Sequence, residues 1–350
     1  MLRNLWIDND RMQIRINRNN LRSSELGLKA AVMSLVAEVE RAYYNLILAR
    51  DRVAVREEGL ALTERLLKAN QRRVEVGLMA QLDEKQSESQ VAAGQSTLRA
   101  AQKQLVDAEL TLKRLLTSDI AEWFPIAIRP TAKLLALPRE LDVQTSWGKA
   151  LRSRPDLLQA RIQIESNGVR LRFRKNQLFP QLDLVATAGY TGSKREYGPT
   201  WSDVIDGDSP RYSIGAVFSI PLGNRSARKS LEVQKLQNER SLILLKNQEQ
   251  RIMTEVASGV EAARSAYDLV ASTRKAREFA EIALDAEGKK LEIGKSTSFI
   301  VLQLQRDLTN ARSAEINALA DYNRALSSLA LAEGATLDRL NINMEVSGDK

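Results

Sequence analysis

The chain has 350 residues and contains neither cysteine nor histidine, which excludes disulfides, thiol chemistry and metal sites built from those side chains. The commonest general base is therefore missing as well. Charged residues make up 27% of the chain and aromatic residues 5%, a composition typical of long helices rather than of a globular enzyme core. The net charge of +8 comes mainly from basic residues interleaved with acids, which indicates solvated helix faces.

The first predicted helix is unusually long and contains no proline between residues 10 and 76. At a rise of 1.5 Å per residue it would measure roughly 100 Å, so it has to pack lengthwise against other helices. Asp8, Asn9 and Asp10 are suitable caps for its start. Residues 1–9 are predicted to be the end of a β-strand that leads into this helix.

A second helix is predicted over residues 81–116, after a break at Gly77. Its apolar seam alternates large and small side chains at heptad spacing, as in Val91, Gly94, Leu98, Ala101, Leu105, Ala108, Leu112 and Leu115. Such alternation favours close knobs-into-holes packing, and the short turn makes the two helices antiparallel neighbours. Residues 10–117 are therefore predicted to form one helical hairpin.

Residues 118–154 interrupt the helical pattern with three prolines and an irregular apolar stretch. Four of its side chains, Leu134, Leu135, Leu137 and Trp147, require burial, so we predict a packed connector rather than a flexible linker. It contains a short helix over about 142–152, capped by Asp142.

A helix over 155–177, which Pro155 can begin, is followed by a predicted β-hairpin over 178–224. The two strands alternate with period two and are separated by a polar loop. One face of the hairpin collects the apolar positions Leu182, Leu184, Ala186, Ala188, Tyr190, Tyr212, Ile214, Ala216, Phe218 and Ile220. The other face carries polar or small residues such as Asp183 and Ser219.

Residues 225–337 repeat the first hairpin, with helices over about 227–293 and 299–331 and a break at Gly294. Gly77 and Gly294 are 217 positions apart, and the same shift superposes Glu38 on Glu255 and Ala101 on Ala318. The chain therefore contains an internal duplication. Residues 338–350 form a polar tail that we expect to be flexible.

Several motifs, in this order and within a duplicated frame, make the chain resemble the TolC family of outer-membrane efflux proteins. They are the tips VEVGL at 74–78 and LEIGKST at 291–297, LFPQL at 178–182 with a Gly-Tyr pair at 189–190, SIPLG at 219–223 and RPDL at 154–157. The resemblance extends from residue 1 to about residue 337. Each motif alone is weak, and the combination is specific.

The resemblance implies a mainly α fold with a small membrane β part. Long antiparallel coiled-coil hairpins of three chains would form a trimeric α-barrel in the periplasm, and β-hairpins would contribute to a shared 12-stranded β-barrel in the outer membrane of a Gram-negative bacterium. Such a homotrimer is a passive export duct of a tripartite efflux or type I secretion system. Its partners would be a periplasmic adaptor protein, an inner-membrane pump and outer-membrane lipid, without nucleic acid or cofactors.

The family also begins with a signal sequence, a helix and a strand before the region that matches Met1. The N-terminal residues of this chain lack the apolar core of a signal peptide, so we expect an N-terminally truncated product. No run of about 18 apolar residues encodes a transmembrane helix, and any membrane crossing would need strands pooled from several chains.

The resemblance assigns roles to three groups of residues. Adaptor docking falls on Val76, Gly77, Leu78, Met79, Ile293, Gly294, Lys295, Ser296 and Thr297. A neutral or apolar tip constriction would involve Asp83, Leu291, Ser296, Ile300 and Gln303. Lipid would contact Leu182, Leu184, Tyr190, Tyr212, Ile214 and Phe218.

Simpler interpretations stand beside these roles. The tips are in any case helix-hairpin turns, and Asp83 is equally well explained as a residue of a helix start. Glu315 interrupts the second seam, either because it lines a wet bore or because the apolar stripe rotates there.

Two other functions compete with the channel. The first is a soluble coiled-coil scaffold with a small β-hairpin, and the second is a basic coiled-coil protein that binds nucleic acid. No phosphate-binding loop, nucleophile elbow or histidine base indicates an enzyme.

Overall fold

The structure is a computed structural model that describes residues 2–191, 204, 205, 207 and 210–343. Most of the predicted polar loop and residues 344–350 of the predicted tail lie outside the described residues. The elements are α1 (Asn9–Glu75), α2 (Gln81–Leu116), α3 (Ile120–Trp123), α4 (Val143–Ser153), α5 (Pro155–Asn176), β1 (Gln181–Tyr190), β2 (Pro210–Ser219), α6 (Arg225–Glu292), α7 (Ser298–Ala332) and α8 (Thr336–Arg339). No described helix combines the length and apolarity needed to cross a membrane.

The helices agree with their predicted bounds to within two residues. A shift of 217 positions places α1 on residues 226–292 and α2 on residues 298–333, which are the positions of α6 and α7. The internal duplication read from the sequence is therefore also a duplication of structure. Two single-turn helices, α3 and α8, are too short to give a periodic signal and were not predicted.

The chain divides into two compact units, and the first comprises Met1–Gly27 and Asp156–Gln248. In this unit α5 packs on the beginning of α1 through a core that contains Met12, Ile16 and Val169. The buried Asn19 Nδ2 also donates a hydrogen bond to Ser166 Oγ at 3.1 Å. These contacts hold the beginning of α1 against the helix that leads into β1.

Residues 2–8 form turns and bends rather than the predicted end of a strand. Asn4 has a φ of 62°, in the left-handed region, which interrupts any extended run. Its backbone N–H donates to Asn176 Oδ1 at 2.8 Å, and the Arg3 N–H donates to the Pro180 carbonyl at 2.8 Å. The segment is therefore held beside the end of α5 as an irregular strap.

The second unit comprises Leu28–Pro155 and Glu249–Lys350 and contains both helical hairpins apart from the first residues of α1 and α6. The α1–α2 hairpin buries Ala42, Leu46 and Leu112 together. The α6–α7 hairpin buries Val270, Ala318 and Tyr322 together, at different positions of the repeat. Every residue of the predicted seam of α2 is buried or half-buried, as close knobs-into-holes packing requires. The same holds for the corresponding seam of α7, which consists of Leu308, Ala311, Ala318, Tyr322, Ala325 and Leu329.

The connector between α2 and α4 is held mainly through its backbone carbonyls. Tyr322 Oη donates to the Leu137 carbonyl at 2.6 Å, Asn323 Nδ2 donates to the Leu135 carbonyl at 3.3 Å, and Arg264 donates to the Leu141 carbonyl. The expectation that its leucines require burial was partly wrong. Leu134 is buried, whereas Leu135 and Leu137 are 61% and 64% exposed. Their carbonyls, rather than their side chains, contact the helices.

Gly334, just after α7, is expected to be the glycine least tolerant of alanine. Its φ is +73°, and an added Cβ would lie 3.0 Å from the Arg154 nitrogen and the Ser153 carbonyl carbon. Gly77 has a similar φ of +74° with nothing within 4 Å. Gly77→Ala should therefore cost only the left-handed conformation, about 1–2 kcal/mol, and Gly334→Ala distinctly more. Equal shifts in the urea unfolding midpoint would contradict this expectation.

Candidate functional site

The two hairpin tips share one hydrogen-bonding pattern. At the first tip, the Gly77 N–H donates to the Val74 carbonyl at 2.9 Å and the Leu78 N–H donates to the Arg73 carbonyl at 2.8 Å. At the second tip, the Gly294 and Lys295 N–H groups make the equivalent bonds at 3.2 and 2.8 Å. Both glycines have positive φ, so each tip ends its helix with a Schellman-type cap.

The tips expose large apolar side chains, although the hairpins behind them are packed. Val76, Leu78 and Ile293 are 68%, 79% and 67% exposed. The second tip adds the exposed Lys295 and Thr297, whereas Met79 of the first tip and Ser296 of the second are half-buried. Apolar side chains displayed on tight turns form a surface suited to contact with another protein.

Just behind the tips, a buried hydrogen-bond chain connects the two hairpins. Ser298 Oγ donates to Asn70 Oδ1 at 2.9 Å, and Asn70 Nδ2 donates to Ser87 Oγ at 2.8 Å. The three residues are 2%, 0% and 0% exposed, respectively, in the order Ser298, Asn70 and Ser87. We call them the Asn70 cluster. Sequence reasoning missed it, because periodicity shows which face is buried but not which buried polar groups meet.

The predicted constriction residues have different surroundings. Asp83 is half-buried in the first turn of α2, where its N–H donates to the Ala80 carbonyl at 3.1 Å. Leu291 is buried, with 8% exposed, while Ile300 and Gln303 are exposed. Of these predicted constriction residues, Ile300 and Gln303 are therefore the most accessible in a single chain.

Ser296, the fifth constriction candidate, is bound within its own hairpin. Its Oγ donates to Glu287 Oε1 at 2.6 Å, and Lys290 Nζ contacts Glu287 Oε2 at 2.8 Å. Hydrogen bonds from Lys290 and Ser296 hold the pKa of the Glu287 carboxyl below its usual value. Glu287 therefore stays ionised beside the second tip.

A network of charged side chains crosses the helices of the second unit. Arg312 of α7 lies 2.5 Å from Glu58 of α1 and 2.8 Å from Glu281 of α6. Glu315 lies 2.6 Å from Arg277 and is only 13% exposed. Glu315 therefore interrupts the seam because it pairs with α6 of its own chain.

Arg312→Gln is expected to weaken acid sensitivity as well as stability. The hydrogen bond from Arg312 is the largest cause that lowers the pKa of Glu281 below its usual 4.5. A lowered folded-state pKa stabilises the protein above pH 4.5, and this stabilisation is lost as the pH falls through the lowered value. The difference in melting temperature between wild type and variant should therefore be largest near neutral pH and shrink in acid.

Lys289→Gln is the matched control for that titration. Lys289 pairs with Asp285 at 2.6 Å, but both side chains are largely exposed, at 73% and 67%. Solvent screens such an exposed pair almost completely, so this variant should follow the wild-type pH profile. A difference for Arg312→Gln that stays constant with pH would contradict the prediction.

The β-hairpin has the register that the alternation predicts. Leu182 pairs with Phe218 and Ala186 with Ile214, so the predicted apolar residues share one face. Asp183, Thr187 and Ser213 lie on the other face. Every residue of β1 and β2 is exposed except Gln181, which is half-buried, and in the described part of the chain the sheet has two strands. Ile214 and Leu184 are 89% and 82% exposed.

Among the described residues, no three Asp or Glu side chains form a group that could hold a metal ion. Tandem helical hairpins and an unpartnered apolar β-hairpin instead define a channel-type fold, in which exposed surfaces are completed by other molecules.

Comparisons with known proteins agree with this class. The profile described as "Outer membrane efflux protein" matches residues 7–118 and 147–335. The chain belongs to this family and has the TolC-type fold with long helical hairpins and a small β part.

Two relatives and two solved structures illustrate the similarity. The outer membrane efflux protein BepC of Brucella suis is 25% identical over 95% of this chain and 69% of its own length. The pyoverdine export outer membrane protein OpmQ of Pseudomonas aeruginosa is 24% identical over 85% of this chain and 60% of its own. The chain thus spans about 60–70% of these relatives.

The structure of the outer membrane protein VceC of Vibrio cholerae matches 93% of this chain and 75% of its own, with a TM-score of 0.79 and 18% identity. The CmeC outer membrane channel of Campylobacter jejuni matches 95% of this chain and 70% of its own, with a TM-score of 0.75 and 16% identity. At these identities the structures establish the fold.

Proposed function

We propose that three copies of the chain form a passive export duct in the outer membrane, with their helices as a periplasmic tube and their β-hairpins pooled into one barrel. The observation that carries this proposal is the exposed β-hairpin, whose apolar face is accompanied by two unpaired edges among the described residues. Unpaired backbone groups are costly in lipid, so such a hairpin crosses a membrane only by pairing with strands of other chains or segments.

On this proposal, Leu182, Leu184, Ile214 and Phe218 contact lipid. Tyr190 and Tyr212 lie at the end of the hairpin away from the helices, at the level of the lipid headgroups. The opposite face, with Asp183, faces the aqueous bore. Residues 10–117 and 225–337 act as the two helical repeats, 178–224 as the barrel hairpin and 118–154 as an equatorial connector.

The tips are the proposed contact with a periplasmic adaptor protein, and through it with an inner-membrane pump that supplies energy. Val76, Leu78 and Ile293 provide the apolar contact, and Lys295 with Thr297 provides a polar border. The similarity of the chain to the probable efflux pump outer membrane protein TtgC of Pseudomonas putida supports a pump partnership. The duct itself would catalyse no reaction and bind no nucleic acid.

Imaging tests the proposal directly. The chain is expressed, extracted from membranes with a neutral detergent and examined by electron cryo-microscopy, with ion conductance in planar bilayers as a second readout. Threefold particles with a β-rich end and a conductance are expected. Solitary, water-soluble particles that never enter the membrane fraction would overturn the proposal and favour the coiled-coil scaffold.

A further inference from the structure

The positive charge of the protein is concentrated beside the β-hairpin. The described part of the first unit contains 17 Lys and Arg against 8 Asp and Glu, whereas the whole chain carries +8. Five of these basic residues lie outside the strands, within nine positions of Gln181, the first residue of β1, or of Ser219, the last residue of β2: Arg172, Arg174, Lys175, Arg225 and Arg228. We call them the basic junction. They end α5 and begin α6, so all lie on the helix side of the hairpin.

Hydrogen bonds bring the parts of the basic junction together. Asn224 Nδ2 donates to the Gln177 and Leu178 carbonyls, at 3.5 Å each, and so connects the start of α6 to the end of α5. Gln177 Nε2 donates to Asn4 Oδ1 at 3.0 Å, which adds the N-terminal strap to the same place. The two helix ends that carry the five charges are therefore joined to each other and to the strap.

The basic junction is open to solvent and free of carboxylate partners. All five side chains are exposed, and among the described residues none forms an ion pair with an acid. Neighbouring basic residues differ in this respect, since Lys229 pairs with Glu232 at 2.7 Å and Arg11 with Asp8 at 3.5 Å. Five exposed cations without carboxylate partners, on two helix ends that are joined to each other, attract anions strongly.

Large apolar side chains accompany these cations at the same end of the hairpin. Trp6, Leu5, Ile220 and Leu222 are 74%, 56%, 59% and 95% exposed. Exposed tryptophan beside Lys and Arg, immediately outside an apolar strand region, is the combination typical of a membrane–water interface.

We infer that the basic junction binds anionic phospholipid headgroups of the membrane leaflet on the helix side of the hairpin. This inference rests on the proposed insertion of the hairpin, which sets the junction at headgroup level. Phosphate oxygens accept the guanidinium and ammonium hydrogen bonds, while Trp6 and Leu222 enter the upper acyl region. The junction thereby fixes the depth of the hairpin and selects for anionic lipid.

The test compares vesicles of phosphatidylethanolamine alone with vesicles that also contain phosphatidylglycerol. The ratio of chain bound to the two kinds, measured by co-flotation, cancels the contribution of the hairpin itself. The wild type should prefer the anionic vesicles, and high salt should remove the preference. In the combined variant Arg172→Gln, Arg174→Gln, Arg225→Gln and Arg228→Gln, the ratio of binding to anionic over phosphatidylethanolamine vesicles should fall by at least about 100-fold.

The control variant removes four equally exposed cations from the second unit: Arg65→Gln, Arg99→Gln, Lys275→Gln and Arg306→Gln. It should keep the wild-type preference. A junction variant that keeps the preference for anionic vesicles would overturn the inference. Loss of the wild-type preference on adding inorganic phosphate at constant ionic strength would also overturn it, because that result indicates a site for free anions. A changed ion selectivity of the conducting channel with unchanged vesicle preference would instead place the charges in the bore.

The two proposals fail in different ways. Threefold particles without any preference for anionic vesicles overturn only the role of the basic junction. Solitary water-soluble particles overturn the channel.

Discussion

Ile214→Arg is expected to prevent stable membrane insertion, at a cost of about 2–4 kcal/mol for each chain. Ile214 is 89% exposed and pairs with Ala186 near the centre of the hairpin, on the face that also carries Leu184 and Phe218. If that face contacts lipid, the new guanidinium has neither water nor a partner at this depth. The measurement is the fraction of the chain that resists alkaline extraction from membranes.

Ser213→Arg is the matched control for that experiment. Ser213 is the neighbouring residue, is also exposed, and lies on the opposite face beside Thr187. An arginine there would face the aqueous bore, so insertion should remain close to wild type. If alkaline extraction removes the wild type and both variants from membranes equally, neither face contacts lipid. The soluble scaffold would then be favoured.

Asn70→Asp is expected to produce the second large effect, a loss of about 3–5 kcal/mol in the free energy of unfolding at neutral pH. The change keeps the volume but places a carboxylate where the side chain is 0% exposed. It also replaces the Nδ2 donor to Ser87 with an acceptor. Because protonation would remove the buried charge, the loss should diminish as the pH is lowered.

Asn310→Asp provides the control, since Asn310 is an exposed residue of α7. Its effect should be within about 0.5 kcal/mol and should not diminish in acid. Urea unfolding at several pH values separates the two variants. Similar, small losses for both would show that the Asn70 cluster contributes little to the packing of the two hairpins near their tips.

Local rules were sufficient to predict the helices. Alternating large and small seam residues, the glycines at 77 and 294 and a repeat of 217 positions placed α2 at its observed bounds and α6 within two residues of them. The strand faces were also predictable, because a period of two leaves a single apolar face. These elements are predictable because the periodicity and the capping residues that define them lie within the same stretch of sequence.

The contacts between distant polar residues could not be predicted. Asn70 meets Ser298 across 228 positions, and Arg312 meets Glu58 of another helix, yet neither residue departs from an ordinary helical composition. The strap at residues 2–8 was missed for a related reason. The apolar residues Leu5, Trp6 and Ile7 are typical of a strand, but the left-handed backbone conformation of Asn4 interrupts the extended chain. Such outcomes depend on which partners the fold supplies.

The way the connector is held has a consequence for divergence among relatives. Its main chain is bound by Tyr322, Asn323 and Arg264, and the side chains of Leu135 and Leu137 are exposed, whereas Leu134 is buried. Substitutions at the exposed positions should therefore cost little stability, whereas loss of the helix residues that bind the main chain should cost more. The family profile does not match residues 119–146, the range that contains these bound carbonyls.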